Sequence, residues 1–294
     1  MSIVVQVALP VTLFCLMFAM GLRLTLRNFA DLIPRWPLVL AVLGSLLIAL
    51  PAIAITIVRL SGLGPELGLG VLLISATPAG TFSSILAAYG RANLALSVSL
   101  TALTSLLAVV TLPLIVNVAA AGALSTHVPH LPVAETVLRV LVLIGIPVPL
   151  GMLVHRVLGT RAEGLHQLIK NAGAGVLILI FVSIIYTERH ELGAALSAVW
   201  LPVVLFNGSA LAIGLIFRRA LAPQLDIGLS LALAHAIRQE ETGLYVALTL
   251  LAIPLSALPL LLNSVVGIIS GLSVLVFARL TQPRLEQSPA SSTL

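Results

Sequence analysis

Charge is what this chain has least of: 9% of its 294 residues are Asp, Glu, Lys or Arg, against about 25% in soluble globular domains. That shortage excludes an ordinary water-soluble fold. Cysteine occurs once, at Cys15, so neither a disulfide within the chain nor a multi-thiolate metal centre is available. Set among Leu, Phe and Met, Cys15 reads as a small apolar packing residue. The opening MSIVVQVALPVTLF has no basic stretch and no small-residue cleavage site ahead of its apolar run, so it reads as a retained first helix rather than a leader.

What remains is 60% hydrophobic, with mean hydropathy +1.19, in apolar runs of about 20 residues or more, the length that crosses a hydrocarbon core of about 30 Å as helix. Barrel strands would run about 10 residues in strict alternation. The chain therefore predicts an all-α polytopic membrane protein with nine transmembrane helices, over residues 3–21, 36–58, 64–89, 93–119, 133–158, 166–186, 199–217, 225–251 and 255–278.

Basic residues alternate from side to side of these spans. Arg23, Arg27, Arg35, Arg91, Arg156, Arg161, Lys170, Arg218, Arg219, Arg279 and Arg284 fall on one side, and Arg59, Arg139 and Arg189 on the other. The positive-inside rule then puts the N-terminus outside and the C-terminus in the cytoplasm of a multi-pass protein of the plasma (inner) membrane. The sequence pI of 10.3 is a topology signal, and nucleic acid is not an expected partner. Residues 282–294, QPRLEQSPASSTL, predict a disordered cytoplasmic tail.

Two spans are interrupted in the middle. One carries Thr77-Pro78-Ala79-Gly80-Thr81, and the other carries HAIRQEETG, with Arg238, Glu240 and Glu241 inside an otherwise uncharged stretch. Proline removes a backbone donor and glycine eases irregular torsions, so each helix is expected to break there, beside a cavity or packed protein. An offset of about 161 residues superimposes the breaks and also relates the first span to the sixth, the second to the seventh and the fourth to the ninth, a sign of inverted repeats with two crossing discontinuous helices. The repeats span about 1–120 and about 131–281 of a single transmembrane domain, 1–281, with the first repeat lacking one helix.

Each ionised side chain at a bilayer centre costs roughly 2.5–3.5 kcal/mol on insertion scales, which marks the charged run as functional. Three readings stand: Glu240 and Glu241 bind a cation or relay a proton, Arg238 grips an anion with its planar fork, or the charges neutralise one another. Thr77, Thr81, Ser83, Ser84, Ser97, Ser99 and Thr101 offer an oxygen-rich lining beside the first break, each also able to serve as a packing group. His235, about one helical turn before Gln239 and Glu240, either shares a proton with them or packs as a neutral ring. His127 and His130 read as loop residues.

These residues carry a resemblance. FAMGLRLTLRNFADL, TPAGTFSSILAAYGRANLALSVSLT and EETGL are similar to segments of the bile acid:sodium symporter family, over nearly the whole chain, and the chain resembles a bacterial member with a divergent sodium-site motif. The resemblance implies a panel domain, a core domain and alternating access for organic anions coupled to sodium. One sodium site would use Ser83, Ser84, Ser97 and Thr101 with a glutamate whose position is Ala236 here; Ser84 stands where a family asparagine is common. A second would use that glutamate, carbonyls near Ile237 and Gln239, a glutamine matching Glu240 and a glutamine matching Leu46. Thr81, Arg238 and Glu241 are the expected substrate contacts.

The expected function is thus secondary transport of a small organic anion, with no cofactor beyond a possible sodium ion, and the lipid bilayer, the anion and a coupling sodium or proton as partners. The alternatives are sodium-independent exchange or efflux, proton coupling, or a non-transporting membrane sensor. An intramembrane enzyme is not expected, because no nucleophile–base pair or metal-ligand pattern accompanies the glutamates.

Overall fold

The computed structural model describes residues 3–123, 132–221 and 224–281, and these form helices throughout. They begin with α1 (Ile3–Gly21) and α2, a continuous run of Trp36–Gly44, a π-turn at Ser45–Ala49 and Leu50–Ser61. The first interrupted span becomes α3 (Pro65–Ala76) and α4 (Thr81–Tyr89), followed by α5 (Leu94–Ala123). Next come α6, which joins Val133–Val140, a second π-turn at Leu141–Gly145 and Pro147–Leu158, then α7 (Ala162–Thr187) and α8 (Leu192–Ala220). The second interrupted span becomes α9 (Leu225–Ala236) and α10, built from Glu240–Tyr245 and the π-turn Val246–Leu250; α11 (Ala257–Thr281) closes the fold.

Five helical runs among the described residues are long and apolar enough to cross a membrane: Leu26–Ser61, Leu94–Val118, Val133–Thr187, Leu192–Ala220 and Pro254–Ala278. At 1.5 Å per residue, the 55-residue run Val133–Thr187 would extend about 80 Å, far more than one hydrocarbon core. It turns back at Gly159, whose φ of +56° is a conformation that a side chain would strain. Expected boundaries shift where turns continue as helix: the seventh span starts at Leu192 rather than 199, and the sixth at Ala162 rather than 166. His127, His130 and the tail 282–294 lie outside the described residues.

Neither α3 nor α9 spans a membrane alone, since 12 residues make about 18 Å of helix. Both are apolar on every side, and every residue from Gly68 to Ala76 and from Ile227 to Ala236 is buried. A helix that is hydrophobic all round belongs inside a packed layer. Here the layer consists of α2, α5 and α11 around α3, and α8 and α11 around α9. On the far side, α1 packs on α6 and α7, where the His166 ring Nδ1 lies 2.8 Å from the Ala19 carbonyl oxygen near the end of α1.

The two breaks meet. Thr77–Gly80 and Ile237–Gln239 run antiparallel and pair at Ala79 and Arg238. The Gly80 amide donates to the Ile237 carbonyl at 2.8 Å, and the Gln239 amide donates to the Pro78 carbonyl at 3.0 Å. Gly80 makes this approach possible, because a Cβ there would stand 2.5 Å from the Arg238 carbonyl oxygen and 2.9 Å from its carbon. Neither is the movable end of a side chain. Gly80→Ala is expected to cost about 1–3 kcal/mol by forcing the crossing apart, whereas Gly208→Ala, with nothing within 4 Å, stays neutral or gains slightly; unfolding midpoints in detergent distinguish the two.

Candidate substrate and ion site

Breaking a helix strands main-chain groups, and in a membrane interior each stranded group needs a protein partner. The crossing supplies partners one by one. Arg238, 3% exposed, extends its guanidinium back to the end of α3, where Nη2 donates to the Ser75 carbonyl at 3.1 Å and also to the Thr77 carbonyl. These carbonyls lie at the negative end of a half-helix dipole, where a positive charge is favoured. The corresponding end of α9 is capped by a neutral amide: Asn207 Nδ2 on α8 donates to the Ala236 carbonyl at 2.9 Å.

Asn207 continues into a buried polar chain. Its Oδ1 accepts from Ser270 Oγ at 2.6 Å, and its Nδ2 also reaches Asn263 Oδ1 at 3.3 Å. Asn263 Nδ2 then donates to Glu240 Oε1 at 2.7 Å, so α8, α11 and the start of α10 share one network. Gln239 lies on the opposite flank: its Oε1 accepts from Ser105 Oγ on α5 at 3.1 Å, and its Nε2 approaches Met17 Sδ on α1 at 3.2 Å. Glu241 is only partly buried, with the Gln239 side chain against its carboxylate.

The three charges do not neutralise one another by contact. Among the described residues the ion pairs within 4 Å are Arg23–Glu163 and Arg139–Glu135, both partly exposed, so Arg238, Glu240 and Glu241 each face other partners. Nor does His235 share a helical face with Glu240, because α9 ends between them. Its ring lies 2.8 Å from both the Ser45 Oγ of α2 and the Leu231 carbonyl, edge-on to Phe217. Asn207, Asn263, Ser270, Ser45 and Ser105, together with Thr104, whose Oγ1 accepts from the Ala79 amide at 3.3 Å, are polar partners of the crossing and its helices that the sequence reading did not single out. Their signal was a lone amide or hydroxyl in an apolar window, which becomes distinctive only when packing brings several together.

Three of the hydroxyls come together. Ser83 Oγ lies 3.5 Å and Ser84 Oγ 3.3 Å from Ser97 Oγ, and Ser83 Oγ donates to the Gly80 carbonyl at 2.7 Å. Thr101 Oγ1, on the same helix as Ser97, is buried without a hydrogen-bond partner. Thr81 opens α4 and is partly buried, and Ser99 instead donates to the Asn28 and Ala95 carbonyls.

This arrangement fits the two sodium sites implied by the resemblance unequally. Ser83, Ser84, Ser97 and the unpartnered Thr101 are hard oxygen donors of the kind a small cation takes, but Ala236 brings no carboxylate to them. The second set does not fit. Leu46 is a buried alkyl group, the Ile237 carbonyl accepts from the Gly80 amide, and the Gln239 carbonyl accepts from the Thr242 amide at 3.1 Å. A guanidinium also stands in that neighbourhood.

Two interrupted helices crossing inside a helical membrane protein define the class of the secondary transporters. Residues 10–194, well over half of the chain, match the Sodium Bile acid symporter family, and the chain belongs to that family. It is 28% identical over 261 residues to an uncharacterized sodium-dependent transporter of Bacillus subtilis, covering 87% of this chain and 78% of that one. It is 28% identical over 183 residues to the ileal sodium/bile acid cotransporter of Oryctolagus cuniculus, covering 62% and 52%. A probable chloroplastic sodium/metabolite cotransporter of Oryza sativa is 24% identical over 265 residues, covering 90% and 62%. The chain thus spans about half to three-fifths of the animal and plant relatives. The family is one of transporters rather than enzymes.

The amide cap gives a direct test of this wall. Asn207→Leu removes the donor to the Ala236 carbonyl and the acceptor of Ser270, and leaving such buried groups bare costs about 1–3 kcal/mol each. Ser209→Ala, two residues along α8 from Asn207 and bonded to its own helix, is expected to be near neutral in the same thermal denaturation series.

Proposed function

We propose that this chain carries a small organic anion across the plasma (inner) membrane by alternating access, and that Arg238 takes the place of one of the two coupling cations. The observation that carries this reading is the Arg238 Nη2 on the Ser75 and Thr77 carbonyls. Carbonyls at a half-helix C-terminus are the groups that transporters offer to a diffusible cation, and here they are held by a covalently attached one. Transport therefore does not require two sodium ions.

The proposed frame is nine crossings in two inverted repeats, about 1–120 and about 131–281. The offset of about 161 residues puts Pro78 in register with Gln239, and these two residues share a main-chain hydrogen bond at the crossing. That is the expectation for a pseudo-two-fold axis passing between the breaks. A panel of α1, α6 and α7 would stand against a core of α2–α5 and α8–α11, in keeping with the mutual packing of each group. Arg23–Glu163 and Asn93–Asp226 each join residues assigned to one face; that this face is cytoplasmic, with the N-terminus outside, rests on the distribution of Lys and Arg.

The substrate's acid group is assigned to Thr81 and to the Arg238 donors not spent on carbonyls, with Glu241 as a further contact. A second reading, in which one sodium ion is retained, is favoured by the unpartnered Thr101 Oγ1; Ser83, Ser84, Ser97 and Thr101 would hold it. Proton coupling through Glu240 or Glu241 is the corresponding sodium-free form. The names of the relatives, sodium-dependent transporters among them, favour a cation-coupled cycle in either form.

Uptake into proteoliposomes with sodium, potassium and pH gradients varied separately tests the proposal. The expected sodium dependence is absent or first order; a strict requirement with a Hill coefficient near two overturns it. Arg238→Ala bares two buried carbonyls and is expected to cost about 2–5 kcal/mol. Sodium chloride, but not choline chloride, is expected to restore part of that loss in thermal denaturation of the variant, with no such difference in the unaltered protein.

A further inference from the structure

The charges at the crossing divide into committed and uncommitted groups. A guanidinium grips a carboxylate at two points either through Nε and Nη2 or through Nη1 and Nη2, and both grips use the nitrogen that Arg238 has given to the Ser75 and Thr77 carbonyls. Nε and Nη1 are buried without hydrogen-bond partners, which leaves single-point donors to an anion rather than a fork. Glu240 is committed as well, with Oε1 held by Asn263 and the residue 8% exposed.

Glu241 differs. It is only partly buried, it forms no ion pair within 4 Å among the described residues, and its one side-chain partner is the neutral amide of Gln239, which also approaches Met17 of α1. An organic anion entering beside an ionised Glu241 carboxylate meets repulsion at short range in a medium of low dielectric. An acid that brings its own positive group does not.

Resting on the organic-anion reading above, we infer that the transported acid also carries a protonated amine: its ammonium group binds the Glu241 carboxylate, and its acid group meets Thr81 and the free N–H groups of Arg238. The ligand class is a small zwitterion, such as an amino carboxylate or amino sulfonate. Glu241 then sets specificity by charge, accepting the amino acid and repelling the keto or hydroxy acid of the same skeleton. A neutral amide at this position would lose that discrimination.

The test uses the full chain in proteoliposomes and matched pairs of radiolabelled acids of three to six carbons, with and without a 2-amino group. In the unaltered protein the amino member of at least one pair is expected to be favoured about tenfold or more in uptake efficiency, the scale of a charge pair with a desolvated partner. Glu241→Gln is expected to reduce that preference to within about threefold while uptake of the des-amino acid is kept or rises, and Glu241→Asp to restore much of it. Equal or better uptake of the des-amino acid by the unaltered protein overturns the inference but leaves the organic-anion reading standing. So does loss of des-amino uptake in Glu241→Gln only under a pH or sodium gradient, which identifies Glu241 as a coupling carboxylate. If neither member of any pair moves, while the protein remains folded by thermal denaturation, the organic-anion reading and this inference fall together.

Discussion

The structure depends on satisfying a few main-chain carbonyls in a place water does not reach. Two helices break inside a packed helical membrane protein, and the groups freed by each break must find partners or cost several kcal/mol apiece. The crossing meets part of this demand internally through the Gly80–Ile237 and Gln239–Pro78 bonds. Proline at position 78 limits how much it can meet, because Pro78 accepts a hydrogen bond but has none to return. What the main chain leaves over falls to side-chain nitrogen: Arg238 for the end of α3 and Asn207 for the end of α9. The walls of the site follow from those two assignments.

A fixed cation differs from a diffusible one in thermodynamics more than in geometry. Sodium bound at a site stabilises the states that bind it in proportion to the logarithm of its concentration, and so lets a gradient perform work. A guanidinium tethered to the chain offers the same charge to the same carbonyls at every ion concentration. On the proposed reading it holds the crossing together without drawing on a gradient, and the driving force comes from the hydroxyl set, from a proton or from the substrate's own gradient. Moving one cation from solution to side chain would in that way separate holding the site together from driving transport.

Much of the framework was legible because hydropathy and chain breakers act locally. The breaks at Thr77–Gly80 and Ile237–Gln239 follow from a proline, a glycine and a charged run, and the long apolar spans follow from the thickness of a bilayer. The partners of the charges were not legible. Mutual neutralisation is one of three readings of Arg238 and the glutamates, and the extended backbone at Arg238 instead directs its side chain back towards Ser75 and Thr77, while Glu240 turns to Asn263 on α11. Of the two readings of His235, the one that shares a proton with Glu240 counts a helical turn across a point where the helix ends, and the fold packs the ring against Ser45 on α2. Asn207 and Asn263 were passed over because an isolated amide in an apolar span has no meaning until its neighbours are known.

Glu240 and Glu241 show how one step along the chain separates two roles for a single residue type. Successive side chains on a helix point about 100° apart. At the start of α10 that rotation aims the first carboxylate into the core, towards the amides of α11 and α8, and leaves the second partly exposed on the flank where Gln239 approaches α1. Asn263 sits 23 positions downstream of Glu240, so the distinction requires α11 to return alongside the break. Glu240 is held by Asn263 against the core, whereas Glu241 keeps the Gln239 side chain against its carboxylate and stays partly exposed. The division of labour between them is therefore set by the packing of α11 and not by any difference in intrinsic chemistry.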